Sequence, residues 1–499
     1  MENKLLLVAI SGVQNYIKQA RKTVDLYQGS RRVLEELNWI KNELKQIYEV
    51  NSNFNIILPV ADANKEQDDC ISNFFIARIS NLHGNNEKIE EEIRAKLESN
   101  GQCKETNEDL PCFIVVVDYE KDDYEKCYKK LYAKYQAYKN NRLNALRFIK
   151  ENNTTNTSNI KVYTDQEQMC VLCGRRIGTY KDIIQQKCKG YICNQCNKKR
   201  QAKDSVFPST QDIAGKNGYY ALVQLDIDDM GKWLSGDYKE DKEDLLEYQQ
   251  GISSRINGVF DEIESSIPKL KINGKEEIKT TIYSGGDDML FFCPVDNVWS
   301  IISDVDKKLK SKFQNQAMTC TKSIVIAHEK EPLRYVIGIA RKQLEETKEF
   351  FNKEGKNGIG IMLLYHGSGK RTVYIKDKLD NNESEFSSII EQMRDDFRNK
   401  VISKSLIYCL EEIVCLGEQM QFDEYQELRL IIENEIKRIT KRKVKEGNQK
   451  SVQSHLLYFL DLFSCFSNGS FTINMHSYVE LLHIIEKVSK HSCIEEKVK

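Results

Sequence analysis

The sequence predicts an α+β protein with two ferredoxin-like domains, a cysteine-rich insert between them and a helical segment after them. Three observations lead there: a β-α-β-β-α-β alternation over residues 1–150, its return from residue 218, and a loss of strand signal after Asp380. The expected division is 1–150, 151–217, 218–380 and 381–499, and a chain of 499 residues can bury a core in each.

In the first domain Leu5–Ile10 reads as a strand. Helical spacing of Val33, Leu34, Leu37, Ile40 and Leu44 marks a helix over Ser30–Tyr48. Asn55–Val60 and Asn73–Ile79 read as strands, Glu87–Leu97 as a charged helix, Phe113–Asp118 as a strand and Tyr124–Ile149 as a long helix rich in Tyr and Lys. A polar stretch over Glu151–Asn159 has the composition of a linker.

The alternation returns with a strand over Tyr219–Asp226 and a helix over Asp244–Ile267. Ile278–Tyr283 and Met289–Val295 flank Ser284-Gly285-Gly286-Asp287-Asp288 and so predict a hairpin. Val298–Phe313 is helical, Ser323–Ala327 a strand, Pro332–Phe351 a helix with Pro near its first turn, and Gly358–Leu364 a strand. Beyond Asp380, Ser387–Cys415, Phe422–Arg442 and Val452–Phe466 read as helices with no strand between them.

Composition narrows the function classes. Hydrophobic residues make up 40% and charged residues 30%, as in soluble globular chains. Lys+Arg (74) and Asp+Glu (75) cancel, so contact with nucleic acid has to come from local patches. No apolar run is long enough to span a bilayer, and Leu5–Ile10 meets Ser11-Gly12 too soon for a cleavable leader. A cytoplasmic protein without membrane partners is expected, with its fifteen cysteines reduced.

Two acidic motifs carry the chemistry. The strand ending at Leu225 runs into Asp226-Ile227-Asp228-Asp229, and the hairpin carries Gly285-Gly286-Asp287-Asp288. In a ferredoxin-like sheet the first strand and this hairpin are neighbours, so Asp226 falls beside Asp287 and Asp288. Carboxylates that close stay ionised at neutral pH when a divalent cation is present. Two such ions, Mg or Mn, roughly 3.5–4 Å apart would clamp the attacking and leaving oxygens of a phosphoryl displacement. Asp226, Asp287 and Asp288 are the catalytic candidates, and with Asp228 they are the candidate ligands. Gly285 and Gly286 allow a tight turn close to a triphosphate. An ordinary turn and a solvated helix start would explain either motif alone, and far less well the two together.

Cys170-x-x-Cys173 and Cys193-x-x-Cys196, nineteen residues apart, have the spacing of a four-thiolate structural zinc site. Redox chemistry fits less well, because neither pair opens a helix after a strand. Cys188 is an alternative ligand that its spacing does not recommend.

Further stretches give these motifs a family. Ile10-Ser11-Gly12-Val13-Gln14-Asn15-Tyr16-Ile17, Gln19-Ala20-Arg21-Lys22-Thr23, Phe207-Pro208-Ser209-Thr210, LDIDDMGKWLSG (225–236), YSGGDD (283–288) and IVIAHEKEPLR (324–334) lie in order with the cysteine pairs. Together they resemble the large polymerase-cyclase subunit of type III CRISPR effector complexes, in its Cmr branch. The resemblance implies two nucleotidyl cyclase-like palm domains, a zinc-ribbon insert, a C-terminal helical domain, and ATP joined through 3′–5′ bonds into cyclic oligoadenylate once target RNA binds. It also implies partners: other Cmr-type subunits, crRNA and target RNA.

Aligning the two first strands sets Ala9 against Asp226, Ser11 against Asp228 and Gly12 against Asp229. The first palm then lacks the acidic pair and is expected to hold nucleotide through Ser11 and Gly12. Lys348, in Ala340-Arg341-x-x-Leu344-x-x-x-Lys348, resembles the triphosphate-binding lysine of GGDEF-type cyclases. Many members of the family begin with an HD-type nuclease domain. This chain opens on the first palm and has no His-Asp dipeptide, so no DNA cleavage is expected. Three alternatives stay open: transfer of AMP from ATP onto S-adenosylmethionine, a non-catalytic scaffold holding crRNA and partner subunits, and a stand-alone cyclase acting on GTP.

Overall fold

The computed structural model describes residues 3–48, 54–60, 73–99, 110, 112–120, 123–140, 168–181, 190–201, 207–241, 243–271, 277–313, 318–367, 369–376, 383–419, 425–467 and 470–489. The linker expected at 151–159 and Cys188 lie outside these residues. Contacts divide the chain into two compact units: 1–207 with 229–261 and 282–287, and 208–228 with 262–281 and 288–499.

In the first unit β1 (Asn3–Ile10) leads through α1 (Val13–Ile17) and α2 (Thr23–Tyr48) to β2 (Phe54–Leu58) and β3 (Phe74–Ser80). Then come α3 (Asn86–Ser99), β4 (Cys112–Tyr119) and α4 (Tyr124–Asn140). The four strands lie in the order β2-β3-β1-β4, antiparallel throughout, which is the ferredoxin-like order. Alternation of side chains puts Leu6, Val8 and Ile10 on one face with Phe75, Ala77 and Ile79, and Val33, Leu37, Ile40 and Leu44 of α2 with Ile89 and Ile93 of α3 bury that face. The helix expected from Ser30 begins seven residues earlier, at Thr23, because Leu26 already continues its buried stripe.

The cysteine insert consists of two short strands, β5 (Tyr180–Lys181) and β6 (Tyr191–Ile192), and α5 (Asn194–Gln201), so Cys193-x-x-Cys196, contrary to the expectation from sequence, does open a helix after a strand. α6 (Thr210–Ala214) opens on a capping box in which Ser209 and Asp212 exchange hydrogen bonds.

β7 (Tyr219–Ile227) is followed by α7 (Met230–Ser235), α8 (Leu245–Ser266) and two short strands, β8 (Leu270–Lys271) and β9 (Glu277–Ile278). β10 (Thr281–Gly285) passes through the turn Gly286-Asp287 into β11 (Asp288–Pro294). α9 (Val298–Lys312), β12 (Cys320–His328), α10 (Leu333–Phe350), β13 (Gly358–Leu364) and β14 (Lys370–Lys376) complete the domain. Within the second unit the strands run β11-β7-β12-β13-β14. β7 lies antiparallel between β11 and β12, as β1 lies between β3 and β4. β13 extends the sheet parallel to β12, and β14, which the sequence pattern did not reveal, pairs antiparallel with β13.

The remaining helices are α11 (Glu383–Arg398), α12 (Ser405–Gln419), α13 (Tyr425–Lys443), α14 (Gln449–Leu462) and α15 (Met475–Ser489). Two expectations change here. The single helix expected over Ser387–Cys415 is broken between Arg398 and Ser405, where Lys400 takes a left-handed φ of 55°. A small hairpin, β15 (Ser464–Ser467) with β16 (Ser470–Ile473), interrupts the helical run. Arg394–Asp296 and Arg371–Glu480 ion pairs tie these helices to the second sheet's domain. No helix among the described residues is long and apolar enough to cross a membrane.

α10 lies unusually close to its sheet. A Cβ on Gly358 would sit 2.3 Å from the Phe351 ring, and one on Gly360 would sit 2.2 Å from Thr347 Oγ1. The glycines thus let the helix carrying Lys348 settle onto β12 and β13. Gly360→Ala should destabilise the protein by about 1–3 kcal/mol, the usual penalty for overpacking. Thr347→Ala in the same chain should recover part of the loss in denaturant melts, since Thr347 is the nearest obstacle.

Candidate active site

β7 is buried along its length until Asp226, whose side chain is 24% exposed. The strand register sets Asp226 opposite Asp288 on β11 and opposite Thr321 on β12. Opposite residues of an antiparallel pair have Cβ atoms about 4.5–5.5 Å apart, so two carboxylates there repel. Lys348, on the last turn of α10, forms an ion pair with Asp226 Oδ1. Burial works against its ammonium, but the charge and hydrogen bond of Asp226, with Asp228 nearby, hold its pKa above the ordinary 10.5. That contribution to stability is therefore complete below pH 10.5 and is lost only as pH rises past the raised pKa.

Asp228 sits differently, at 3% exposure. Thr319 Oγ1 donates to its Oδ2 at 2.9 Å, Thr321 Oγ1 to its Oδ1 at 2.6 Å, and the Asn357 backbone N–H to Oδ2 at 3.0 Å. Its own N–H donates to the Thr319 carbonyl at 2.9 Å. Asn357 reaches it because Lys356 and Asn357 are both left-handed, with φ of 55° and 50°. Lys376 secures that loop by donating to the carbonyls of Glu354 and Lys356. This carboxylate thus organises the end of the strand and the loop after α10. The sequence placed it with the metal ligands; in the folded chain three protein donors already take its oxygens.

Asp287 is exposed in the turn and Asp288 half-buried at the start of β11. Gly286 is left-handed (φ 68°), a conformation glycine enters without cost. Asp229 is left-handed too (φ 54°) and precedes α7. Gly12 (φ 72°) precedes α1 in the same way, so the two strand-to-helix turns match at the offset that aligns Ala9 with Asp226. At the Asp226 position the first palm has Ala9, between Phe74 and Phe113. Ser11 is half-buried, and Gly12 O accepts the Tyr16 N–H at 3.0 Å.

The four cysteines converge. Cys170, Cys173, Cys193 and Cys196 are buried, and their sulfurs all lie within 4.8 Å of one another. Among the described residues only this group brings three or more ligand atoms so close. Gly174 (φ 64°) turns the first knuckle, with its N–H on the Cys170 carbonyl at 2.8 Å. Hydrogen bonds from the other three thiols hold Cys170 well below the usual thiol range. Four soft sulfur donors in a closed, buried group suit zinc.

Residues 219–360 match the family model described as Cas10/Cmr2, second palm domain. This stretch resembles the second palm domain of Cas10/Cmr2. The curated CRISPR system Cmr subunit Cmr2 of Pyrococcus furiosus is 26% identical over 203 residues, which cover 35% of this chain and 21% of that protein. The chain therefore spans about a fifth of the length of the relative it matches. The type III-B Cmr-beta structure in its apo state superposes over 98% of this chain and 82% of its own, with a TM-score of 0.63 and 15% identity. The same assembly bound to cognate target RNA gives 0.61 and 13%, over 98% and 83%. A Csm1–Csm4 cassette in complex with pppApApA gives 0.52 and 13%, over 98% and 70%. These structures share the fold.

Several residues around the palm were not singled out from the sequence: Thr319 and Thr321, which hold Asp228, and Gln14 and Tyr283, which bond to each other at 3.0 Å. A Thr-x-Thr at the start of the strand beside an acidic one was the available signal for the first pair. Asp62, Asp68 and Asp69, acceptor-side candidates for S-adenosylmethionine, lie outside the described residues.

Asp228→Ala strands two hydroxyls and an N–H and should cost about 3 kcal/mol. Asp287→Ala, exposed in its turn, should stay within about 0.5 kcal/mol of the parent in the same chemical melts. Cys173→Ser should lower zinc content and melting temperature together, because binding in such sites is coupled to folding. Zinc-free protein that melts like the parent would contradict the zinc assignment.

Proposed function

We propose that the second palm is a metal-dependent nucleotidyltransferase that joins ATP through 3′–5′ bonds into a cyclic oligoadenylate, within a type III CRISPR complex switched on by target RNA. The observation that carries this reading is the cross-strand pair Asp226–Asp288, with Asp287 next in the chain and Lys348 on Asp226. A scaffold gains nothing from opposed carboxylates, which cost stability. Cmr-beta is known bound to target RNA and the Csm1–Csm4 cassette bound to pppApApA, which supports RNA and adenylate as ligands of this fold. Other Cmr-type subunits and crRNA are the proposed partners, and the cytoplasm the proposed compartment.

Asp226, Asp287 and Asp288 offer carboxylate oxygens, the donor type Mg or Mn prefers, and would draw together around the ions, since among the described residues only the four cysteines already bring three ligand atoms together. Metal ions held by these carboxylates would supply stabilisation of the charge on the phosphoryl oxygens and the leaving group. The chain's own residues do the rest. Asp228, locked by its three donors, fixes the strand end so that Asp226 keeps its direction. Lys348 exchanges Asp226 for the triphosphate when nucleotide arrives, trading one anionic partner for another. Gly285 and Gly286 leave room for phosphate against the backbone, and Ser11-Gly12 are the proposed nucleotide contacts of the first palm. In the reaction a 3′-hydroxyl oxygen bonds to the α-phosphorus, pyrophosphate leaves, and the hydroxyl proton passes to water.

Asp287→Ala with Asp288→Ala should abolish product while complex assembly persists, as expected where ions provide most of the charge stabilisation. Asp226→Asn should behave likewise, and Lys348→Ala should raise the apparent KM for ATP before it lowers kcat. Mass spectrometry of products made from ATP, with and without S-adenosylmethionine and under Mg or Mn titration, checks all three. A double variant that still joins nucleotides at the parental rate would move the chemistry elsewhere. An adduct formed only with S-adenosylmethionine would replace the cyclic product by AMP transfer.

A further inference from the structure

α5 starts at the second cysteine pair and carries two buried cations away from it. Lys199, 2% exposed, donates from Nζ to the Tyr16 carbonyl at 2.7 Å and to the Gln19 carbonyl at 3.4 Å, and lies 3.8 Å over the Tyr16 ring. Arg200 pairs with the buried Asp25, Nε to Oδ1 at 3.0 Å. Asp25 in turn accepts the backbone N–H groups of Arg21 and Lys22 at 3.2 and 3.1 Å. The two cations therefore hold the turn from Gly12 to Lys22 from beneath. From that turn Gln14 Nε2 donates to the Tyr283 hydroxyl at 3.0 Å. Tyr283 lies on β10, two residues before Gly285, and Ile282–Asp287 belongs by its contacts to the same compact unit as the first palm and the cysteine knuckle.

We propose that Lys199 and Arg200 are positioning residues: they transmit the fold of the cysteine knuckle, through the Gly12–Lys22 turn and the Gln14–Tyr283 hydrogen bond, to the strand that presents Gly285, Gly286 and Asp287. The proposal rests on the catalytic reading of that strand, and its test has a separate readout.

Burying an ammonium is costly, and burial pulls Lys199 down to about 8. An apolar residue would fill the same space more cheaply, whereas a lysine donating to two successive turns of backbone orients them. α8 braces the same unit from another side: Gln249 Oε1 accepts from the Tyr124 hydroxyl at 2.8 Å, and Ser253 and Asn257 bond to the backbone of Val60. The strand with the glycine turn meets this palm through the Gln14–Tyr283 hydrogen bond.

The test uses the full chain in its assembled complex with Lys199→Met, Lys199→Arg, Tyr283→Phe and the Met/Phe double variant. Zinc content should stay at the parental level in all four, because no cysteine is touched. Hydrogen exchange should rise several-fold at 12–19 and at 283–287 in Lys199→Met, and Lys199→Arg should restore most of the protection. In product assays kcat should fall several-fold with KM for ATP little changed, and the double variant should fall no further than its worse single, the signature of coupled positions. Parental exchange at 283–287 in Lys199→Met, or kinetic effects that simply add, would overturn the proposal. If the parent makes no product, the functional reading fails and exchange alone decides the strut. Should Lys199→Met not fold, Tyr283→Phe is read from the opposite end: raised exchange at 12–19 supports the strut and parental exchange there overturns it.

Discussion

Two aspartates face each other across β7 and β11, and most of the second palm is arranged around the cost of that pairing. Like charges opposed on neighbouring strands destabilise a sheet, and the interior beneath them cannot screen them. The chain answers with a lysine from α10 on Asp226 and with three donors on Asp228. Each answer needs its own support. Lys348 reaches the strand because Gly358 and Gly360 let α10 approach the sheet. The Asn357 N–H reaches Asp228 because two successive residues accept a left-handed backbone. Strain of that kind in residues other than glycine persists where surrounding contacts over-determine it, and it concentrates at functional sites.

The two aspartates of the strand end consequently have different duties although they stand two residues apart. Asp226 is partly exposed and pairs with Lys348. Asp228 is buried and meets groups that cannot leave.

The first palm repeats the topology without the chemistry. Its central strand ends in the same left-handed turn into a short helix, but Ala9 lies between two phenylalanines where Asp226 lies between Asp288 and Thr321. The cysteine knuckle contacts it through Lys199, which donates to the Tyr16 carbonyl, and Arg200, which pairs with Asp25. The resemblance to Cmr-branch CRISPR subunits then has a physical content: one palm carries opposed aspartates at its strand ends, and its counterpart has Ala9 at that position and pairs its buried Lys4 with Asp118.

Much of this was legible from sequence because it is local or periodic. Alternating and helical hydrophobic spacing gave the strands and helices of both palms, glycine before aspartate gave the turn, and paired cysteines gave the knuckle, since each depends on residues close along the chain. The Asp226–Asp288 neighbourhood followed from strand order alone, because adjacent strands bring their ends together whatever the side chains are. Only the tertiary structure decided what each carboxylate meets. Nothing near Asp228 in sequence marks it as buried; Thr319, Thr321 and Asn357 reach it from a strand and a loop more than ninety residues away. β14 escaped notice because Lys370–Lys376 has mixed polarity, as an outer strand covered on one face by α15 can. The partners of Lys199 lie some one hundred and eighty residues back along the chain, and no periodicity links two such segments. Sequence determines which elements form; hydrogen bonds and charges between distant elements are settled only when packing brings them within reach.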